Sequence, residues 1–351
     1  MRHRAPKILI VKLSAIGDVV HTLPALNALR RYFPNAHITW LVEEAAADLV
    51  AGHRCLDRVL VSQRKRWEAA LRKGHLLEGI RPAIAFLRKL RDTRYDMILD
   101  FQAALKGAIL ISLARGRRKI GFGPGMEHQE HSYWFLNEKI PAVDMEIHAL
   151  ERGLMLLEAI GVPAGAIAYH LPIDTADRQK VDNLLEIHHQ PHSAVPIAIN
   201  PVAQWETKLW LPERFAELAD RLIDRHDARV FFTGSRADRS MISIIMDSMH
   251  HEAINLAGET SLVELAALYR RMALLITTDT GPMHICAAVE TPVVALFGPT
   301  AEWRTGPYGD LHQIVAPAVD CRPCFKRTCS HCTCMRQISV EDVMNKVQAL
   351  M

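Results

Sequence analysis

The chain has 351 residues, 49% hydrophobic and 23% charged, with a net charge of +3. Such a composition excludes a disordered chain and leaves room for two domains of ordinary size. A net charge this small gives no footing to a nucleic-acid partner recognised by charge.

Residues 7–13 (KILIVKL) read as a buried strand. That run is too short for the apolar core of a signal peptide, and no run approaches the roughly 20 apolar residues of a membrane span. The expected location is therefore the cytoplasm, where the seven cysteines stay reduced and form no disulfide framework. Residues 19–32 read as a helix ended by Pro34, 37–42 as a strand and 59–61 as a short strand. Residues 67–91 read as helical, with Pro82 as an interruption or boundary. A strand at 95–101, a helix at 103–114 and a short strand at 120–122 follow. The helix at 149–160 ends in a turn-rich break, Gly161-Val162-Pro163-Ala164-Gly165.

The pattern then restarts. Strands are expected at 196–200, 229–233, 254–256, 274–277 and 291–297, and helices at 212–225, 238–249, 261–270, 284–289 and 340–350. Strands spaced by helices imply parallel sheets with helices on both faces. The expectation is an α/β chain of two doubly wound domains, 1–168 and 169–351, facing each other across a cleft. The last helix is free to pack back on the first domain.

Positive charge is uneven. Arg64, Lys65, Arg66, Arg72, Lys73, Arg81, Arg88, Lys89, Arg91 and Arg94 crowd one region, and Arg115, Arg117, Arg118 and Lys119 form a second cluster. Such clusters suit either an anionic partner or a solvated helix face.

Two turns carry the chemistry. Thr278-Asp279-Thr280-Gly281-Pro282-Met283-His284 breaks a buried strand and re-enters a helix. Backbone N–H groups at such a strand end bind phosphorylated ligands, and Pro282 suits the first helical turn. Lys12-Leu13-Ser14-Ala15-Ile16-Gly17-Asp18 makes the corresponding turn after the first strand. Asp18 there can cap the helix or face the cleft as a functional carboxylate. Neither turn carries the G-x-G-x-x-G of a nicotinamide-dinucleotide site.

Residues 12–26 resemble the opening motif of the bacterial lipopolysaccharide heptosyltransferases, glycosyltransferase family 9 enzymes of the GT-B fold. Asp279 to His284 and then Leu296-Phe297-Gly298-Pro299-Thr300 resemble that family's donor-binding signature. Asp100-Phe101-Gln102 with Lys106, and His148-Ala149-Leu150-Glu151-Arg152, are most similar to the first heptosyltransferase, which acts on Kdo of lipid A.

The resemblance implies an inverting, metal-independent transfer of L-glycero-D-manno-heptose from ADP-heptose to a Kdo hydroxyl. Asp18 would be the base and Lys208 the lysine on the diphosphate. Asp279, Thr280, Gly281, Pro282, Met283, His284, Gln204 and Asp238 would hold the donor, with Asp238 near the ribose. Ser14, Arg64, Arg66, Gln102 and Lys106 would hold a Kdo–lipid A acceptor, so the enzyme would work peripherally at the cytoplasmic face of the inner membrane. No cofactor is implied. Ala203 and Gln204 stand where the family often has hydroxyl side chains.

Cys321, Cys324, Cys329, Cys332 and Cys334 form a dense tail, which also suits the second heptosyltransferase and hence a heptose acceptor. Only four residues separate the two C-x2-C pairs, too few for a finger-like loop. A compact metal knot with His331 and a loop of reduced thiols both stay open. Two further readings compete: a non-catalytic sugar-nucleotide or lipid A-binding protein that keeps the fold, and a redox or regulatory protein built on the cysteines.

Overall fold

The structure, a computed structural model, describes residues 5–126, 130–188 and 194–351. It contains two compact units, Met1–Pro172 and Ile173–Met351.

The first unit runs β1 (Lys7–Val11), α1 (Ile16–Tyr32), β2 (His37–Glu43), β3 (Arg58–Ser62), α2 (Arg64–Arg72), α3 (Leu76–Arg91), β4 (Arg94–Asp100), α4 (Leu105–Leu113), β5 (Arg115–Phe122), β6 (Glu138–Ile140) and α5 (Ala149–Glu158). Its sheet is parallel, in the order β3-β2-β1-β4-β5-β6. The strand order therefore reverses direction between β1 and β4, where Val11 pairs with Asp100. β1 reads as an unbroken apolar run because both sheet faces are covered; Ile8, Leu9, Ile10 and Val11 are all fully buried. On one face Leu9 and Val11 pack with Leu41, Ile98, Phe86, Leu90 and Ile111. Each such side chain contributes roughly 1.5–3 kcal/mol by leaving water.

The expected 67–91 helix is two helices, and the break is not at Pro82, which sits inside α3. The chain turns instead at Gly74, whose φ of +79° is left-handed and free of cost only for glycine. Gly79 then lets α3 settle on α2: a Cβ there would lie 2.7 Å from Leu71 Cγ and 3.1 Å from the Trp67 carbonyl oxygen. β5 begins five residues earlier than the expected strand at 120–122 and carries the Arg115–Lys119 cluster, where Arg118 pairs with Glu138 at 2.6 Å.

The second unit runs α6 (Thr175–Ile187), β7 (Val195–Asn200), α7 (Pro212–His226), β8 (Ala228–Phe232), α8 (Arg239–Asp247), β9 (Ile254–Asn255), α9 (Leu262–Tyr269), β10 (Leu274–Thr278), α10 (Gly281–Ala288), β11 (Val293–Leu296), α11 (Glu302–Thr305), β12 (Gln313–Val315), α12 (Thr333–Gln337) and α13 (Val340–Gln348). Its parallel sheet has the order β12-β11-β10-β7-β8-β9. Counted from its own first strand, that is the same topology as the first unit. The reversal here falls between β7 and β10, where Asn200 pairs with Thr277. α13 buries Val343, Met344 and Val347 in this unit's own core, together with Leu218, Leu222 and Leu296. In an open α/β sheet, ligands bind outside the strand ends where the strand order reverses.

Candidate functional site

Each unit places a loop pair at its reversal point. In the first, the loop after β1 meets the loop after β4. Asp100, at the end of β4, is fully buried and accepts the N–H groups of Gln102 and Ala103, both at 3.0 Å. That turn aims Gln102 back at the first loop, where its Oε1 accepts Leu13 N–H at 2.8 Å and Ser14 N–H at 3.1 Å. Lys12 Nζ donates to the Phe101 carbonyl at 3.0 Å. Gly107 keeps α4 close to this turn, since a Cβ there would stand 2.9 Å from Gln102 Cβ.

The loop so held presents Asp18 in the first turn of α1. Its Oδ2 accepts Ala15 N–H at 3.0 Å and lies 3.8 Å from Lys12 Nζ. The Asp18 side chain is 41% exposed, against 11% for Lys12, so the carboxylate is open to a ligand while its cation is not. Lys106, from α4, donates to Ser14 Oγ and lies 4.0 Å from Glu43. Burial lowers the pKa of its ammonium group. Ser14, Gln102, Lys106 and Asp18 thus gather at one pair of loops. Arg64 is tied to Glu43 at 3.2 Å and Glu68 at 2.6 Å, and Arg66 to Glu44 at 3.1 Å. Glu43 and Glu44 end β2 and follow it, beside the same loops.

In the second unit the loop after β7 meets the loop after β10. Lys208 Nζ donates to Asp279 Oδ2 at 2.5 Å and to the Asp279 carbonyl at 3.3 Å. Both side chains are largely buried. Asp279 Oδ2 also accepts Thr300 Oγ1 at 2.6 Å, joining the turn after β11 to the pair. Thr278 Oγ1 donates to the Val202 carbonyl at 2.8 Å and pins the two loops together. Thr280 precedes α10 in an extended conformation with no side-chain cap, which leaves the Gly281 N–H at the helix start, while Pro282 has no N–H and the Met283 N–H returns to the Thr280 carbonyl at 3.1 Å. Pro282 occupies the first turn, and Met283 and His284 are buried. Gln204 is exposed on the loop after β7. Asp238 Oδ2 accepts the N–H of Ser235 at 2.8 Å and its Oγ at 2.5 Å, closing the turn after β8.

Several residues in these crevices take parts that the sequence left unassigned. Lys12 and Asp100 act on the first loop pair. On the second, the Trp205 ring meets two cations, 4.5 Å from Lys208 Nζ and 5.0 Å from the Arg327 guanidinium. Thr207 Oγ1 donates to the Lys326 carbonyl at 2.8 Å. The cysteine segment therefore braces the loop that carries Lys208. Its other anchor is the turn after β11, where Pro299 O accepts the N–H groups of Cys324 and Phe325 at 2.9 Å. Cys332 N–H points at Cys329 Sγ at 3.4 Å, and the amides of His331 and Cys332 hold the Cys329 thiol below its usual pKa. Cys334 is buried. Among the described residues, no group of three or more His, Cys, Asp or Glu side chains is arranged to hold a metal ion.

Comparison with known proteins places this geometry. The model of glycosyltransferase family 9 (heptosyltransferase) matches residues 83–334, a span that includes Asp100, Lys208 and Asp279 but not Asp18. The lipopolysaccharide core heptosyltransferase OpsX of Haemophilus influenzae is 29% identical over 315 residues, 89% of this chain and 85% of that one. Lipopolysaccharide heptosyltransferase 1 of Pseudomonas aeruginosa is 29% identical over 329 residues, 93% and 88% of the two chains. Among solved structures, a family 9 glycosyltransferase from Veillonella parvula superposes with a TM-score of 0.79 at 22% identity, over 100% of this chain and 98% of that one. Escherichia coli heptosyltransferase WaaC with ADP gives 0.77 at 24% identity, over 98% and 100%. The twin reversal-point crevices thus belong to a GT-B enzyme, and with the family model matched over well more than half of its length, this chain is a member of glycosyltransferase family 9 (heptosyltransferase).

Proposed function

We propose that the protein transfers L-glycero-D-manno-heptose from ADP-heptose to a Kdo sugar of the lipopolysaccharide inner core, with inversion. The observation that carries this reading is the pair of reversal-point crevices, each built around a lysine and an aspartate, one open and one closed. The open aspartate, Asp18, suits a base that must reach an acceptor hydroxyl. It takes that proton as the hydroxyl oxygen attacks the anomeric carbon and the bond to the diphosphate breaks. Gln102, Ser14 and Lys106 fix its loop and offer polar groups to an anionic acceptor.

Lys208 serves the leaving group. Held against Asp279 in the free protein, it lies beside the N-terminus of α10 and can turn its charge to the diphosphate as that group departs with two electrons. Asp279 orients Lys208 and the loop. Thr280 to His284 line the donor, and Gln204 and Asp238 complete its surroundings. This reading assigns the charge neutralisation to Lys208 and the Gly281 end of α10, without a metal. Relatives named heptosyltransferase 1 favour Kdo as acceptor. The lipid-linked acceptor puts the work at the cytoplasmic face of the inner membrane; among the described residues no helix is long and apolar enough to cross a membrane.

The test is ADP release from ADP-heptose with Kdo–lipid A, with heptosylated Kdo–lipid A, and with neither. Release that needs Kdo–lipid A and vanishes in Asp18→Ala, with ADP affinity kept, is the expected result. Release only with the heptosylated acceptor would move the assignment to the second heptose. Turnover surviving in Asp18→Ala would remove Asp18 as the base.

A further inference from the structure

The helical hairpin α2–α3 turns a large apolar surface to solvent. Every residue from Leu71 to Glu78 is exposed, so the hairpin tip stands clear of the fold. Leu76 is 59% and Leu77 66% exposed, and Ile80 and Ile84 follow at helical spacing on the same side of α3. The side of α3 that packs inward is a different one, formed by Gly79, Phe86 and Leu90. α4 packs beside α3 and leaves Leu105 and Ile109 exposed as well. A run of exposed apolar side chains along one side of α3 marks an interaction surface.

Its charge says what it meets. Residues 63–91 hold nine Lys and Arg against Glu68 and Glu78, a balance of +7 in a chain whose total is +3. Both acids are engaged locally, Glu68 with Arg64 at 2.6 Å and Glu78 with His75 at 3.1 Å. Arg72, Lys73, Arg81 and Arg88 are exposed and flank the leucines and isoleucines. Apolar side chains bordered by unopposed cations match a surface with anionic headgroups over a hydrocarbon layer. A protein partner would need matching carboxylates as well as an apolar groove.

We infer that the α2–α3 hairpin and the exposed side of α4 form a docking face for an anionic phospholipid bilayer, with Leu76, Leu77 and Ile80 entering the headgroup region. The inference deepens the proposed function, on which it rests for its purpose: α4 also carries Lys106, so the face adjoins the residues assigned to a lipid-linked acceptor. Docking would hold those residues at the height of the membrane-borne sugar.

The experiment is sedimentation of the full chain with phosphatidylcholine vesicles, with and without phosphatidylglycerol, all free of lipid A. Two variants are compared with the parent: Leu76→Glu/Leu77→Glu/Ile80→Glu, and Arg72→Glu/Lys73→Glu/Arg81→Glu. The parent should bind only the anionic vesicles and release at high salt, and each variant should lose more than about tenfold in partitioning. Turnover on a water-soluble, delipidated acceptor should stay unchanged in both. Variants that bind like the parent, or a parent that ignores anionic vesicles, would overturn the inference. A parent that is dimeric by light scattering, with variants monomeric and vesicle binding unaffected, would assign the face to a second copy instead. Because the vesicles lack acceptor, binding reads the surface alone; a chain that docks but does not turn over would count against the proposed reaction and leave the docking face standing.

Discussion

Asp100 is the residue whose perturbation tests the first crevice most directly. It is a fully buried carboxylate whose pKa is raised by burial from 3.8 to about 6, against the opposing pull of two backbone N–H groups and Lys12. The folded state therefore binds this proton more tightly than the unfolded chain. Asp100 contributes stability below its unfolded value of 3.8, and that contribution is lost as the pH rises through about 6. A gap of roughly two units at 1.36 kcal/mol each makes the loss about 3 kcal/mol. Asn at this position keeps an oxygen for the Gln102 and Ala103 amides and carries no charge. Denaturant unfolding of both proteins from about pH 4 to about pH 7 should show Asp100→Asn gaining on the parent by about 3 kcal/mol, with most of the change between about pH 4 and 6. A stability difference that stays flat across that range would refute the reasoning, since it would mean that Asp100 is no harder to ionise in the fold than in water.

Lys208→Ala strands the Asp279 carboxylate, which is only 6% exposed, with Thr300 as a remaining donor. Breaking a buried pair from one side costs about 3–5 kcal/mol. Adding Asp279→Asn should restore most of that stability in denaturant unfolding but not turnover. Gln102→Ala removes the acceptor of two amides, Leu13 and Ser14, each worth about 1–3 kcal/mol when left unpaired away from water. Turnover should fall by more than tenfold while ADP affinity, read by calorimetry, holds. Gly258→Ala sets a side chain at φ +79° with Arg236 Cα 2.8 Å away. It should lower stability by about 2 kcal/mol or more and weaken ADP binding through the adjoining Gly234–Asp238 turn.

The sheets were legible because their inner strands are covered on both faces. β1, β7 and β10 appear as apolar runs that stop at a polar turn, and that stop marks the reversal points holding Asp18 and Asp279. The short edge strands β6 and β12 were not legible: three residues of Glu138–Ile140 or Gln313–Val315 carry no period, and each exists because a neighbouring strand offers it a ladder. α6 was missed although Asp174 and Asp177 form a reciprocal capping box ahead of it. Pro82 drew the helix break to the wrong place because its cost in a helix is local, whereas Gly74 supplies a turn that only a packed hairpin requires. Within the crevices, the turn after a buried strand exposed Asp18 and Asp279, while Lys208 was reached only through the family resemblance. Lys12 and Asp100 stood in quoted motifs without a part, and Trp205 and Arg327 in none, because their roles depend on which loops meet. Arg327 follows Trp205 by more than a hundred positions, and nothing in either segment announces the other.

That long reach has a consequence for how the protein is made. Thr207 is held by the carbonyl of Lys326, 119 residues downstream, and the turn after β11 is held by Cys324 and Phe325. Everything that frames Asp18, from Lys12 to Lys106, has left the ribosome before the second unit begins. Lys208 is synthesised early in its unit yet waits, with its loop unbraced, until nearly all of the remaining chain has emerged. The newborn protein thus owns its Asp18 crevice long before its Lys208 crevice. A ribosome that stalls or releases anywhere ahead of residue 326 would leave a chain whose first sheet can fold but whose lysine loop has nothing to close against.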